Sequence, residues 1–291
     1  MAGFGNKLGN LFAFSACSAG LVLLESKREL RSVCLNPYEV KLRNLPPEAE
    51  GKKLVFISDF HLAEKGKNNE KILRVIDGFQ PDAILCGGDM VNSGHDDMTP
   101  AILLLNAISE KYPVYFALGN HENRIKDNLY DTGELWDYFR TSLNPDICFL
   151  MNQTIDLPDF GGVRLYGREM ERYYFRKSTK ERLPAELLTE MLPKREGVSI
   201  LLAHDPEQFH TYASWGADLV LSGHYHGGMI RMPVLGGVLS PRFRLFPKYD
   251  KGIFREGNTQ MLVTSGLGQH TIKLRVMNIP EVVGITLKRD E

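Results

Sequence analysis

The run LVFISDFH at residues 54–61 decides how this chain is read. Leu54, Val55, Phe56 and Ile57 follow one another without polar alternation, which suits a strand buried on both faces of a sheet covered by helices. The run then stops in Ser58-Asp59-Phe60-His61. Working outward, the same pattern recurs four times: Ala83 to Cys86 before Gly87-Gly88-Asp89, Val114 to Leu118 before Gly119-Asn120-His121, Val198 to Ala203 before His204, and Asp218 to Ser222 before Gly223-His224-Tyr225-His226. Helix-length segments separate them, at Asn69 to Phe79, Pro100 to Lys111, Glu134 to Leu143, Pro184 to Leu192 and Pro206 to Trp215. Alternating strand and helix predicts an α/β fold with right-handed crossovers. A linker and lead-in strand occupy Asn36 to Glu50, closed by Pro46-Pro47.

Bulk properties set the limits of that reading. The chain has 291 residues, 43% of them hydrophobic and 24% charged, so a large core can form. Lys plus Arg number 35 against 36 Asp plus Glu, which leaves no basic field for non-specific nucleic-acid binding and makes nucleic acid an unexpected partner. Cys17, Cys34, Cys86 and Cys148 form no metal-binding spacing, and Cys86, inside an apolar run, reads as a buried free thiol.

The polar residues carry the functional information. Ligands of open α/β sheets bind outside the carboxyl ends of the strands, and here five strand ends each deliver Asp, Asn or His. Asp59, His61, Asp89, Asn120, His121, His204, His224 and His226 would converge there as oxygen and imidazole donors without a thiolate, a set that suits Mn, Fe, Zn or Mg. Singly, each is explained as well by a turn or a satisfied core histidine. Five of the eight histidines falling at these ends is not.

The ordered set Asp59-Phe60-His61, Gly88-Asp89, Gly119-Asn120-His121-Glu122, His204 and Gly223-His224-Tyr225-His226 resembles the signature of calcineurin-like metallophosphoesterases. The stretches Gly227 to Arg231, Leu245 to Tyr249 and Gly266-Leu267-Gly268 are similar to the bacterial, often membrane-anchored branch of that family. The resemblance implies a four-layer α/β/β/α sandwich, with an N-terminal hydrophobic segment ahead of the catalytic domain. It implies two divalent metal ions, manganese being the expected occupant, the first held by Asp59, His61 and His226 and the second by Asn120, His204 and His224, with Asp89 bridging. Such a pair lowers the pKa of a shared water and gives a hydroxide nucleophile for a phosphodiester, phosphomonoester or pyrophosphate. His121 is then the catalytic residue, a general acid or electrostatic support at the leaving oxygen. One position departs from the pattern: Asn92 stands where many relatives carry the carboxylate that orients the motif histidine, leaving Glu122, Asp96 or Asp97 to compensate.

Softer candidates are Arg168, Arg231 and Lys248 for a phosphate, His95 at the entrance, and the aromatics Tyr173-Tyr174-Phe175, Phe243 and Phe246 as an apolar lip, each explained equally by surface or core packing. His210 and His270 read as structural or exposed. After His226, Arg231, Arg242, Arg244 and Lys248 alternate with Met232, Val234, Leu239, Phe243 and Phe246, a mixture suited to a lipid-linked substrate. Leu8 to Leu24 is free of charge, at the lower length limit for a membrane span, so residues 1–35 are read as anchor and linker and 36–291 as the catalytic domain. Lys27, Arg28 and Arg31 after the segment, against Lys7 before it, place the domain on the cytoplasmic face. Two competing readings keep the fold: a lipid-linked pyrophosphatase similar to enzymes acting on UDP-diacylglucosamine, and a non-catalytic metal-binding scaffold.

Overall fold

The computed structural model describes residues 20–94, 96–127, 133–175, 181–240, 244–269 and 272–290. Most of the apolar run at residues 8–24, together with Cys17, His95, Arg242, Phe243 and His270, lies outside the described residues.

Two six-stranded sheets face each other. The first has the order β1 (Cys34–Leu42), β14 (Glu281–Arg289), β2 (Lys53–Ile57), β3 (Ala83–Cys86), β4 (Val114–Phe116) and β5 (Cys148–Phe149). All neighbours in it are parallel except β14 and β2. The second runs β12 (Gly252–Glu256), β13 (Thr259–Val263), β9 (Leu219–Ser222), β8 (Ser199–Ala203), β7 (Arg164–Arg168) and β6 (Gln153–Asp156), parallel except at its two edges. A short hairpin, β10 (Arg231–Met232) with β11 (Gly236–Gly237), stands apart.

The uninterrupted apolar runs are explained by three buried layers. Leu54 and Phe56 of β2, Ala83 and Leu85 of β3, and Ile200 and Leu202 of β8 meet between the sheets. Their alternates Val55, Ile57, Ile84 and Cys86 turn outward, against α2 (Glu70–Phe79), α3 (Thr99–Ser109) and α5 (Gly133–Ser142). On the far side Leu201, Ala203 and Val220 pack against α6 (Ala185–Met191) and α7 (Phe209–Trp215). This is the expected α/β/β/α sandwich, with each aliphatic side chain stabilising it by roughly 1.5–3 kcal/mol on full burial. The buried thiol of Cys86 is free, as its setting implied, and burial pushes its pKa up.

Helix α1 spans residues 20–30 within the described part. Leu21, Leu23 and Leu24 at its start are 66%, 65% and 66% exposed, whereas Ser26 and Glu29 one and two turns later are buried. Among the described residues no helix is long and apolar enough to cross a membrane. Lys65 and Lys71 donate from their ammonium groups to the carbonyls of Leu30 and Arg31, so two cations close the helix at its carboxyl end.

Candidate metal centre

Every expected donor sits where a strand gives out. Asp59 and His61 follow β2, Asp89 follows β3, His204 follows β8, and His224 and His226 follow β9, while Asn120 and His121 open α4 (Asn120–Lys126) after β4. All are buried. Five of them, Asp59, His61, Asp89, His224 and His226, have φ between 47° and 71°, in the left-handed region. For residues other than glycine this costs on the order of 1–3 kcal/mol each, and it persists only where the surroundings enforce it.

The donor atoms form two main groups, Asp59 with His61 and His226, and Asp89 with His204 and His224, each with ligand atoms within 4.8 Å of one another. Asp89 lies between them: its Oδ2 is 3.1 Å from His204 Nε2 and 3.8 Å from His61 Nε2. Asp59 Oδ1 is 3.5 Å from His226 Nε2 and 3.8 Å from His204 Nε2. His61 with Asp89 and His121 forms a third overlapping group.

Hydrogen bonds on the far side of each ring separate ligands from donor. His61 Nδ1 is 3.0 Å from Asn92 Oδ1, His204 Nδ1 is 2.7 Å from the Gly87 carbonyl, and His226 Nδ1 is 2.9 Å from the Gly268 carbonyl. Oxygen of this kind only accepts, so all three imidazoles carry a proton on Nδ1 and leave Nε2 as the atom that turns to a metal, which takes the place of any proton there. Asn92 Nδ2 donates to Asp96, which fixes its oxygen toward His61. His121 is held the other way round. The Ser93 backbone N–H donates to His121 Nδ1 at 2.9 Å, so the neutral ring keeps its proton on Nε2 as a donor. The expected orienting partners are therefore corrected: Asn92 serves His61, and a main-chain amide takes the place of a carboxylate at His121.

Glu122 has a different task from the compensation expected of it. Its carboxylate accepts the N–H groups of Asp89, Met90, Val91 and Gly119 at 2.7, 2.7, 3.2 and 3.0 Å, bracing the loop that carries Asp89. Burial, and then the Asp89 charge, push it up to about 7. For Asp89 burial acts upward too, but His204, His121 and His61 outweigh it and hold it well below the usual carboxylate range. Burial opposes charge on His204, yet Asp89 and Asp59 raise it to about 10. A buried site that keeps the Asp89 carboxylate ionised is built for positive charge. The buried Oδ1 of Asn120 has no hydrogen-bond partner, as a ligand oxygen awaiting a cation would. The donor set and its tautomers thus fit divalent metal.

Among the softer candidates, Arg168 is buried in an ion pair with Glu171 at 2.6 Å and bonds Asn152, and Arg231 pairs with Asp250 at 2.9 Å, so both brace loops. Exposed His210 pairs with Glu256. Phe175 places its ring 5.2 Å from that of His224 and 6.2 Å from that of His204, an apolar wall beside the donors. A cleft of about 350 Å³ lies alongside, with Tyr174, Tyr225, Arg244, Phe246, Lys248 and Tyr249 in its lining. Reading the sequence missed Ser93, Arg275 and Asn278. Asn278 has no local signal, since its partners Glu29 and His226 lie far away in the chain, and Arg275 bonds nearby carbonyls that no motif marks.

The model of the calcineurin-like phosphoesterase family matches residues 52–228. An uncharacterised metallophosphoesterase of Campylobacter jejuni is 29% identical over 276 residues, covering 93% of this chain and 67% of its own length. The metallophosphoesterase YkuE of Bacillus subtilis is 26% identical, over 86% of this chain and 84% of its own. A transmembrane protein with a metallophosphoesterase domain from Danio rerio is 27% identical over 86% of this chain, which spans 56% of that relative.

Proposed function

Because the chain belongs to the calcineurin-like phosphoesterase family, we propose that it hydrolyses a phosphate ester or anhydride at a centre of two divalent ions, with manganese the favoured occupant. Asp59, His61 and His226 would hold one ion and Asn120, His204 and His224 the other, with Asp89 shared between them. The ions supply charge to the phosphoryl oxygens and lower the pKa of water held between them. The observation that carries this reading is the opposed tautomers: three rings leave Nε2 to turn to a metal while His121 offers it as a donor.

The side chains then divide the work. Water adds to phosphorus as the ester bond opens, a proton of that water passes to the departing oxygen, and the Nε2–H of His121 hydrogen-bonds that oxygen and steadies its negative charge while the ring keeps its proton. The Ser93 amide keeps that ring oriented, Glu122 keeps the Asp89 loop closed, and Phe175 excludes bulk water from the His204 and His224 side. The cleft beside Tyr225 receives the rest of the ester.

Replacing His121 by Ala tests this assignment. The variant keeps its metal content by elemental analysis and loses about 10²- to 10³-fold in kcat, the usual scale for one donor to a developing oxyanion. With a p-nitrophenyl leaving group, which needs little such support, the deficit shrinks. Near wild-type turnover on a poor leaving group would make His121 structural.

The family reading extends to the membrane. The apolar run at residues 8–24 and the exposed Leu21, Leu23 and Leu24 support association of the amino-terminal segment with lipid, the domain facing the cytoplasm. Full-length protein is expected to sediment with membranes and resist a salt wash. Recovery of all of it in the supernatant would end this reading.

A further inference from the structure

We infer that helix α1 is a positioning element of the metal centre: through Ser26 and Glu29 it fixes Arg275 and Asn278, which hold the backbone carrying Asp59 and His226. The inference rests on the two-metal reading above and concerns residues outside the ligand set.

The connection can be followed bond by bond. Ser26 Oγ accepts the backbone N–H of Arg275 at 3.0 Å, and Glu29 Oε2 accepts that of Asn278 at 2.9 Å. The Arg275 guanidinium is fully buried and donates to four carbonyls: Asn278 at 3.0 Å, Ser265 at 2.6 Å, Gly266 at 3.3 Å and Gly268 at 2.9 Å. The Gly268 carbonyl also receives the Nδ1 proton of His226, and the Gly268 amide donates to the Asp59 carbonyl at 2.6 Å. Asn278 Nδ2 donates to the His226 carbonyl at 2.7 Å. Two contacts, through Asn278, therefore separate α1 from the His226 backbone and three, through Arg275 and Gly268, from its imidazole, and the Gly268 path also reaches Asp59.

The strained backbone at that end is what such a clamp would enforce. His226 has φ 50° and is followed by Gly227 at 67° and Gly228 at 75°. A side chain on Gly227 would meet Asn278 Oδ1 at 2.5 Å and Ser265 Cβ at 2.8 Å, so the clamp closes directly over this turn. Among the described residues, His204 and Asn120 of the other half bond neither α1 nor residues 275–278; His204 is anchored by the Gly87 carbonyl, and His224 is tied in only through its N–H to the Asp59 carboxylate. The effect of α1 thus falls chiefly on the ion held by Asp59, His61 and His226. Lys65 and Lys71 at the carboxyl end of the helix keep it docked. The exposed leucines and the two buried polar residues share one short helix, so a lipid surface engaging the former bears on the latter.

The test uses the full chain and Mn(II) alone, titrated calorimetrically into wild type, Ser26→Ala/Glu29→Ala and Glu29→Gln. Loss of outer partners of a metal ligand typically costs 10- to 100-fold in affinity. The double variant is expected to weaken one of the two ions by about that factor and leave the other within roughly twofold. Glu29→Gln, whose amide oxygen still accepts the Asn278 N–H, is expected to bind both ions as wild type does. If the double variant does not fold, Ser26→Ala alone is expected to show a smaller loss, again at one ion. Equal weakening of both ions would mean a general loss of structure and would overturn the inference, as would unchanged binding. Wild type that takes up no Mn(II) would instead remove the two-metal reading on which the inference stands.

Discussion

Exchanging Asp89 for Asn is expected to drop bound metal from two ions per chain to fewer than one, and turnover by at least the 10²- to 10⁴-fold that loss of a general acid costs. The carboxylate lies close to both sets of donors, with Oδ2 3.1 Å from His204 Nε2 and 3.8 Å from His61 Nε2. Its Oδ1 accepts the His121 amide at 2.8 Å, and an Asn oxygen can keep that bond. The substitution therefore removes charge and leaves shape. Two dications about 3.5–4 Å apart repel, and without an anion between them at least one is lost. The metal-free chain should lose stability as well, since His204, His121 and His61 hold Asp89 ionised in the folded state and the change removes one partner of those buried pairs. Elemental analysis after gel filtration, paired with a melting curve in chelator, separates these effects. Two ions still bound would dismiss Asp89 as the bridge.

Glu122→Ala has the largest expected effect on stability. Four backbone N–H groups, those of Asp89, Met90, Val91 and Gly119, lose their acceptor together in a buried loop. A buried donor left unsatisfied costs about 1–3 kcal/mol, and the costs are not additive. The sum is expected on the order of 3–5 kcal/mol, a large part of the roughly 5–15 kcal/mol that holds a domain folded. Urea unfolding of the metal-free protein measures it. Glu122→Gln keeps one acceptor oxygen and should fall between the two. A midpoint within error of wild type would show that water replaces the carboxylate, and the bracing role would be abandoned.

The sequence revealed the parts of this fold that depend on local pattern. LVFISDFH and its four counterparts became β2, β3, β4, β8 and β9, because strands buried on both faces leave an unbroken aliphatic record. The donors at their ends were legible for the same reason: a polar residue after such a run has few places to go. Strands β5, β6 and β7 and those beyond His226 were not read: β5, β10 and β11 are only two residues long and β6 and β12 are edges, while the buried runs of β7, β13 and β14 end in none of the polar donors that marked the other five. The Nδ1 partners were misassigned at Asn92 and unseen at Ser93, because which atom of a loop faces a ring depends on φ and ψ and not on spacing. Arg275 and Asn278 left no trace, for a buried arginine bonded to carbonyls is chemically anonymous in sequence. The amino-terminal segment was read as separate from the catalytic domain, yet Ser26 and Glu29 are hydrogen-bonded into it.

The place of β14 has a consequence for how the chain matures. It is made after every other described strand, yet it lies between β1 and β2, parallel to one and antiparallel to the other. During synthesis β2 emerges early with one edge open, and no earlier strand fills that gap. Exposed edges of apolar strands invite pairing with other chains. The first sheet therefore closes only after β14 has been made, through contacts between residues more than 200 positions apart, which makes its assembly slow. Glu281, at the start of β14, joins Asn36 near the amino terminus to Ser265 and Lys251 in the second half of the chain. A nascent chain can thus hold all of its candidate metal donors before the sheet that positions Asp59, His61 and Asp89 is closed.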